Sequence, residues 1–298
     1  MDIYWLKIDM LKLIFELYPE DGQIKSHSHL YGYIFRAVIM KWLSECKPEL
    51  IHELHSYDKI RPYSIKCILN KKTPKVNFEV ISYSDELSDT LFQDILSKEK
   101  IKLNIGQKSF YISKINFERI SLKTLIETSK AVKDFNLKFI TPVYFNTIRG
   151  DYPLRFPIPE ILFGNLTTIW NDLFKEKSEI DREQFLSWVN AHIYISSYRM
   201  KTVKSEIGKD KPVVGGLGNV SYRLTKINKN YYKHYLEVMD KKQDFDFVIE
   251  DYKINSRWLD ILCKFGEYTN VGANRTAGLG AFFYYPKNYI PDKDLLIK

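Results

Sequence analysis

Between Pro62 and Phe117 the sequence breaks into four short β-rich runs, YSIKCIL, KVNFEVISY, IKLNIG and SFYISKINFERI, with a segment of different period among them. That segment, DELSDTLFQDILSKE, spaces Leu87, Leu91 and Ile95 as one face of a helix. Upstream, Tyr4 to Leu17 mixes Ile, Leu, Trp and Phe with charges at near-alternating places, which predicts a first strand ending at the Pro19 to Gly22 turn. HSHLYGYIFRAVIMKWLSE then puts Ile34, Phe35, Val38, Ile39, Trp42 and Leu43 on one helical face. PELIHELH adds a short helix, with Pro48 suited to its first turn.

Strand, helix, strands, helix, strand is the βαββαβ order of a ferredoxin-like or RRM-like domain. Its end is expected near Ser129, where SKAVKD separates two β-rich stretches. Downstream, FNLKFITPVYF reads as a strand, LFGNLTTIWNDLFKE and REQFLSWVNAHIYI as helices, and GLGNVSYRLTKI, FDFVIEDY and AFFYYP as strands. SRWLDILCKFGEYT supplies another helix. The expected class is therefore α+β, with two tandem ferredoxin-like domains over residues 1–129 and 130–298 and one large α+β domain as the alternative. A chain of 298 residues with 45% hydrophobic content can build one large core or two ordinary ones.

Lys and Arg number 45 against 37 Asp and Glu, a formal charge of +8, which suits a nucleic-acid partner. The 21 Tyr and 18 Phe suit β-sheet cores, and also surfaces that stack on bases. Cys46, Cys67 and Cys263 stand far apart, so neither a zinc knuckle nor a disulfide framework is present, and a reduced, cytoplasmic setting is expected. No run is long and uncharged enough to span a membrane.

The stretch YTNVGANRTAGLGAF carries Gly272, Gly278 and Gly280. It matches neither the GxGxxG fingerprint nor a P-loop, and it precedes a strand instead of opening a helix, so no nucleotide cofactor is expected. Two readings remain: exposed amides and Arg275 meeting phosphates, or a tight structural turn. His27-x-His29 and His52-x-x-His55 have no cysteine or carboxylate pattern to complete a metal site, and no metal is expected. From Arg199 to Lys233 nine Lys or Arg face two acidic residues, with GKDKPVVGGLGN in the middle read as a flexible hairpin or loop. Such a stretch either contacts phosphates or is a solvated, lysine-rich surface.

Three segments, in order, resemble the CRISPR repeat-specific endoribonucleases, which cut long CRISPR transcripts into guide RNAs. YTNVGANRTAGLGAF is similar to that family's carboxyl-terminal glycine-rich motif. FITPVYFNTIRGDYPLRFPIPEILFGNLTTIWNDLF resembles its strand ending in a Thr-Pro step, proline-rich turn and helix. LYGYIFRAVI, PELIHELH and RPYSI resemble its first helix, Leu-His pair and Arg-Pro-aromatic strand entrance.

The resemblance implies two RRM-like domains facing each other across a basic cleft that holds CRISPR repeat RNA. It also implies metal-independent cleavage: a ribose 2′-OH attacks the adjacent phosphorus and leaves a 2′,3′-cyclic phosphate and a 5′-OH. Such chemistry needs a base, an acid and positive charge at the phosphorane. His55 matches the family's motif position and is assigned proton transfer, with Arg61 supplying charge and Lys59 beside it. Many members carry a catalytic Tyr on the first helix; the position aligned with it here is Phe35, which cannot exchange a proton, so His29 is the substitute, with Tyr31 and Tyr33 behind it. RNA contacts are assigned to Lys59, Arg199, Lys201, Lys204, Lys209, Lys211, Gly272, Asn274, Arg275, Gly278 and Gly280. Further expectations are a monomer or homodimer and association with a CRISPR effector complex. The alternative function is an RNA-binding protein of the same fold that delivers guide RNA without cutting it.

Overall fold

The structure, a computed structural model, describes residues 9–23, 29–55, 60–69, 73–97, 102–105, 108–146, 152–176, 178–206, 212–238 and 245–290. Alternation in DMLKLIFELYP makes it a strand, β1 (Asp9–Pro19), that buries Leu11, Leu13, Phe15 and Leu17 on one side and leaves Lys12, Ile14, Glu16 and Tyr18 half-buried on the other. It lies between β3 (Val76–Ser82) and β5 (Lys108–Ser121), both antiparallel to it. With β2 (Tyr63–Leu69) and β4 (Lys102–Ile105), the order is β2-β3-β1-β5-β4. Helices α1 (His29–Cys46), α2 (Pro48–His55) and α3 (Asp85–Ser97) bring Phe35, Ile39, Leu43, Leu54, Leu87 and Leu91 into the core beneath it.

After the short α4 (Leu122–Glu127), β6 (Val132–Val143) is the central strand of a second sheet. With β7 (Ile193–Glu206), β8 (Pro212–Leu224) and β9 (Phe282–Tyr289) it forms the order β7-β8-β6-β9. Helices α5 (Pro159–Phe174) and α6 (Arg182–His192) connect its first two strands. Helices α7 (Lys229–Val238) and α8 (Phe245–Thr269) connect its last two. Both sheets therefore place the first strand of their unit beside its third and last, the split βαβ arrangement of tandem ferredoxin-like units in an α+β chain; β4 is an addition to the first.

Three local expectations are corrected. FDFVIEDY is the start of the 25-residue α8, because Val248, Tyr252, Leu259 and Leu262 continue one buried helical face through SRWLDIL. IYI, expected to end a helix, opens β7, where Ile193 pairs with Leu224. GKDKPVVGGLGN lies in a hairpin as one reading had it, but most of it is strand β8 and not loop, since residues 212–218 pair antiparallel along β7; residues 207–211 lie outside the described residues. Helices α4 and α7 had no counterpart in the sequence reading.

The cores do not divide as the sheets do. The cluster under the second sheet takes in Met10, Ile81, Tyr83, Ile120, Leu122 and Leu125 from the first half of the chain. Among the described residues no helix is long and apolar enough to cross a membrane.

Candidate functional site

The glycine stretch joins the halves. It follows α8, where Asn270 takes a left-handed conformation (φ 57°) and sends its amide to the carbonyl of Ile65 in β2 at 2.8 Å. A 3-10 turn, Arg275–Ala277, then lies against α1 and β2. A side chain at Gly32 of α1 would stand 2.5 Å from the carbonyl oxygen of Ala277, so the absent side chain is what lets helix and turn touch.

The turn's amides are used within the protein. Gly272 N–H donates to Asn165 Oδ1 at 2.8 Å, Ala273 N–H to the Tyr144 carbonyl at 2.8 Å, and Gly280 N–H to the Pro142 carbonyl at 2.9 Å. Gly278 N–H caps the turn at the Arg275 carbonyl. Arg275 is only 6% exposed, and its guanidinium donates to the carbonyls of Thr269 and Arg61. Burial pulls its pKa below the ordinary arginine value, against the opposing influence of Tyr83 and Tyr63. The assignment of Arg275, Gly278 and Gly280 to phosphate contact is therefore corrected: all three are buried and serve a tight joint. Gly272 and Asn274 stay half-buried, with Asn274 Nδ2 donating to the Tyr144 hydroxyl.

Around this turn, contacts from the second half converge on the entrance to β2. Ile60 N–H donates to Asp172 Oδ2 of α5 at 3.1 Å. The Arg61 carbonyl accepts from Arg275, and Arg61 Nη1 donates to the Thr276 hydroxyl at 3.3 Å. Ser64 donates to the Tyr268 carbonyl, and the Tyr83 hydroxyl reaches the same carbonyl at 3.0 Å. Lys66, 4% exposed, donates to the Glu267 carbonyl and lies 5.5 Å from the centre of the Phe283 ring. Burial lowers the Lys66 pKa, and the carboxylates of Glu79 and Glu267 oppose it.

The assigned catalytic residues belong to the neighbouring helices. His29 is the first residue of α1, three before Gly32, and His55 the last of α2. Four residues separate His55 from Ile60, so their Cα atoms lie within about 18 Å of each other. Lys59, Lys209 and Lys211 lie outside the described residues, as does His27. Phe35 is fully buried, stacked on Phe78 at 4.0 Å and edge-on to Phe15. Its place on α1 faces the core, so the alignment of Phe35 with a catalytic tyrosine is not supported by its surroundings. Toward the turn, α1 presents Gly32 and also Arg36, whose Nε donates to the Tyr63 hydroxyl at 3.1 Å.

The basic run contributes in an unexpected form. Arg199, Lys201 and Lys204 are exposed on β7, an edge strand, where cations also discourage pairing with another chain. The open face of this sheet went unread in the sequence. Register puts Arg199, Asn219, Lys138 and Phe283 in one row across the four strands, and Ser197, Ser221, Asn136 and Tyr285 in the next. A third row carries Tyr194, Arg223 and Asp134, the last two 2.5 Å apart as an ion pair. Residues opposite one another in an antiparallel pair share a face. This face therefore combines exposed aromatic rings, cations and side-chain amides, while Phe135, Leu137 and Phe139 point the other way into the core. Alternation of β6 in NLKFI was the available signal, since it predicts which residues oppose the buried phenylalanines.

Residues 137–282 match a family model described as CRISPR-associated endoribonuclease Cas6. A CRISPR-associated endoribonuclease Cas6 from Streptococcus thermophilus is 22% identical over 250 residues, covering 83% of this chain and 88% of that protein. Among solved structures, a Cas6 product complex matches with a TM-score of 0.70 at 14% identity, over 92% of this chain and 99% of that one. A Thermus thermophilus Cas6 matches with a TM-score of 0.65 at 14% identity, over 93% and 98%. A Cas6 substrate mimic complex matches with a TM-score of 0.65 at 14% identity, over 94% and 100%.

Proposed function

We propose that this chain is a member of the CRISPR-associated endoribonuclease family Cas6, whose family model residues 137–282 match, and that it binds CRISPR repeat RNA and cleaves it by metal-independent attack of a ribose 2′-OH. The O2′–P bond forms as the P–O5′ bond breaks, leaving a 2′,3′-cyclic phosphate and a 5′-OH. His55 and His29 exchange the two protons, one as base toward the 2′-OH and one as acid toward the leaving oxygen. Arg61 stabilises the phosphorane, aided by Lys59.

The observation that carries this reading is the position of Arg61. Arg61 is half-buried and sits beside the glycine turn, with Nη1 within hydrogen-bond distance of Thr276, six residues after the end of α2. A guanidinium there can meet two phosphate oxygens at once. The open face of the second sheet supports RNA binding: Tyr194 and Tyr285 are 42% and 46% exposed, and Arg199, Lys138 and Arg223 lie around them. Rings of this kind stack on bases, and the cations hold phosphates. In this reading residues 1–129 carry proton transfer and 130–298 carry most of the RNA grip, to which Lys201, Lys204, Lys209, Lys211, Gly272 and Asn274 are also assigned.

The test is cleavage of end-labelled repeat RNA in EDTA, beside a substrate with a single 2′-deoxy at the cut site. One defined cut that the 2′-deoxy abolishes is expected. His55→Ala should slow the chemical step by roughly two to four powers of ten with RNA affinity largely kept. An unchanged rate would move proton transfer to His29, and tight binding with no cut by the unaltered protein would overturn the enzymatic reading.

A further inference from the structure

Arg61 is not held by its own half of the molecule alone. Three side chains from beyond residue 130 grip the two residues that lead into β2: Asp172 takes the Ile60 amide, Arg275 takes the Arg61 carbonyl, and Thr276 accepts from the Arg61 guanidinium. These contacts come from two separate elements, α5 and the 3-10 turn, and engage both backbone and side chain. Neither partner on the turn can easily move. Asn274 and Gly278 bracket it in left-handed conformations at φ 56° and 83°, a side chain on Gly278 would stand 3.2 Å from the Gly32 Cα, and Arg275 and Thr276 are buried.

We propose that Asp172, Arg275 and Thr276 form a clamp through which the second half positions Arg61 for the reacting phosphate. The three are positioning residues: none needs to touch RNA. The inference rests on the assignment of Arg61 to phosphorane stabilisation. A charge that must meet a developing phosphorane has to be placed within a fraction of an ångström, and a flexible arginine at a strand entrance is not so placed unless something fixes it. A single guanidinium–hydroxyl contact would leave the backbone free to drift, whereas the Ile60 amide and Arg61 carbonyl are held as well. The clamp also explains why Arg275 is buried: its charge is spent on carbonyls because its work is mechanical.

Asp172 is exposed, so its substitution tests the clamp without opening the core. Asp172→Ala removes the acceptor of the Ile60 amide, while Asp172→Asn keeps a carbonyl oxygen in its place. Hydrogen exchange at the Ile60 amide, RNA affinity and the single-turnover cleavage constant are measured for both. Asp172→Ala should speed exchange at Ile60 and slow cleavage by about ten- to a hundred-fold, with affinity changed by less than about two-fold; Asp172→Asn should restore both readings. Thr276→Val, nearly isosteric, should slow cleavage similarly, Thr276→Ser should rescue it, and Thr276→Val should add nothing in an Arg61→Ala background. Unchanged exchange at Ile60 in Asp172→Ala, or faster exchange with an unchanged rate, would overturn the clamp. A normal rate in Arg61→Ala would instead defeat the role given to Arg61. A protein that binds repeat RNA without cutting it would defeat the enzymatic reading, and exchange at Ile60 would then decide the clamp by itself.

Discussion

His192 shows how an individual side chain can be tied to structure while looking chemical in a sequence. It closes α6 among Trp188, Tyr231, Tyr232 and Tyr252, its Nδ1 lies 3.0 Å from the Trp188 carbonyl, and its Nε2 accepts from the Asn228 amide at 3.2 Å. That pair of partners fits only the neutral ring, since a proton on Nε2 would face an N–H. Burial lowers its pKa from 6.5 to about 4, with the Trp188 carbonyl opposing. The unfolded chain therefore binds a proton first as pH falls, so the stability owed to neutral His192 is complete above about pH 6.5 and is lost toward pH 4. Over that window the loss amounts to about 3 kcal/mol. Urea unfolding at pH 7 and pH 4.5 should show a steeper acid loss for the natural protein than for His192→Gln; parallel losses would contradict the assignment. Phe35 teaches the converse. Its helical spacing with Ile39 and Trp42 already placed it in the core, and only an alignment drew it toward the site.

Among the elements, the glycine turn depends most on its backbone. Gly280 has φ 68°, and a side chain there would stand 1.7 Å from the Val271 carbonyl oxygen. Gly22 has nearly the same φ, 67°, with open space around it. The pair separates conformation from contact. Gly22→Ala should cost about 1–2 kcal/mol for the left-handed backbone alone, while Gly280→Ala should cost about 4 kcal/mol or more because the backbone must also shift. Equal urea midpoints for the two would show that the turn gives way freely. Elements with strict alternation, such as β1, β2 and β3, were legible because one face is apolar and the other is not. FDFVIEDY was misread because Phe245, Phe247 and Ile249 alternate over a stretch too short to reveal a helical period. The basic run hid β7 for a different reason: an edge strand can expose both faces, so Arg199, Lys201 and Lys204 left no apolar rhythm to find.

For the molecule as a whole, the two-sheet architecture could be read from the order of runs, but the way the sheets meet could not. Many of the contacts that join them pair residues more than 200 positions apart, such as Arg61 with Thr276 and Ser64 with Tyr268. No local pattern marks Asp172 or Arg275 as partners of β2, which is why Arg275 looked like a phosphate ligand. Met10, Ile81 and Ile120 of the first sheet are buried in the second core, so neither half can open without exposing the other. The protein should accordingly unfold as one unit. Hydrogen exchange of core amides in β1 and β8, followed with rising urea, should converge on one opening free energy; two distinct values would show independent halves.

That long-range join also sets a schedule during synthesis. At about 5–20 residues per second, the residues that receive Ser64, Ile65 and Arg61 leave the ribosome roughly 10–40 s after them. Until then the hydroxyl of Ser64 lacks the Tyr268 carbonyl and the carbonyl of Ile65 lacks the Asn270 amide, and Met10, Ile81 and Ile120 lack the apolar partners that will cover them. The nascent amino-terminal half is thus a sticky and unfinished surface, and the strand entrance bearing Arg61 takes its working position only after the glycine turn has been translated.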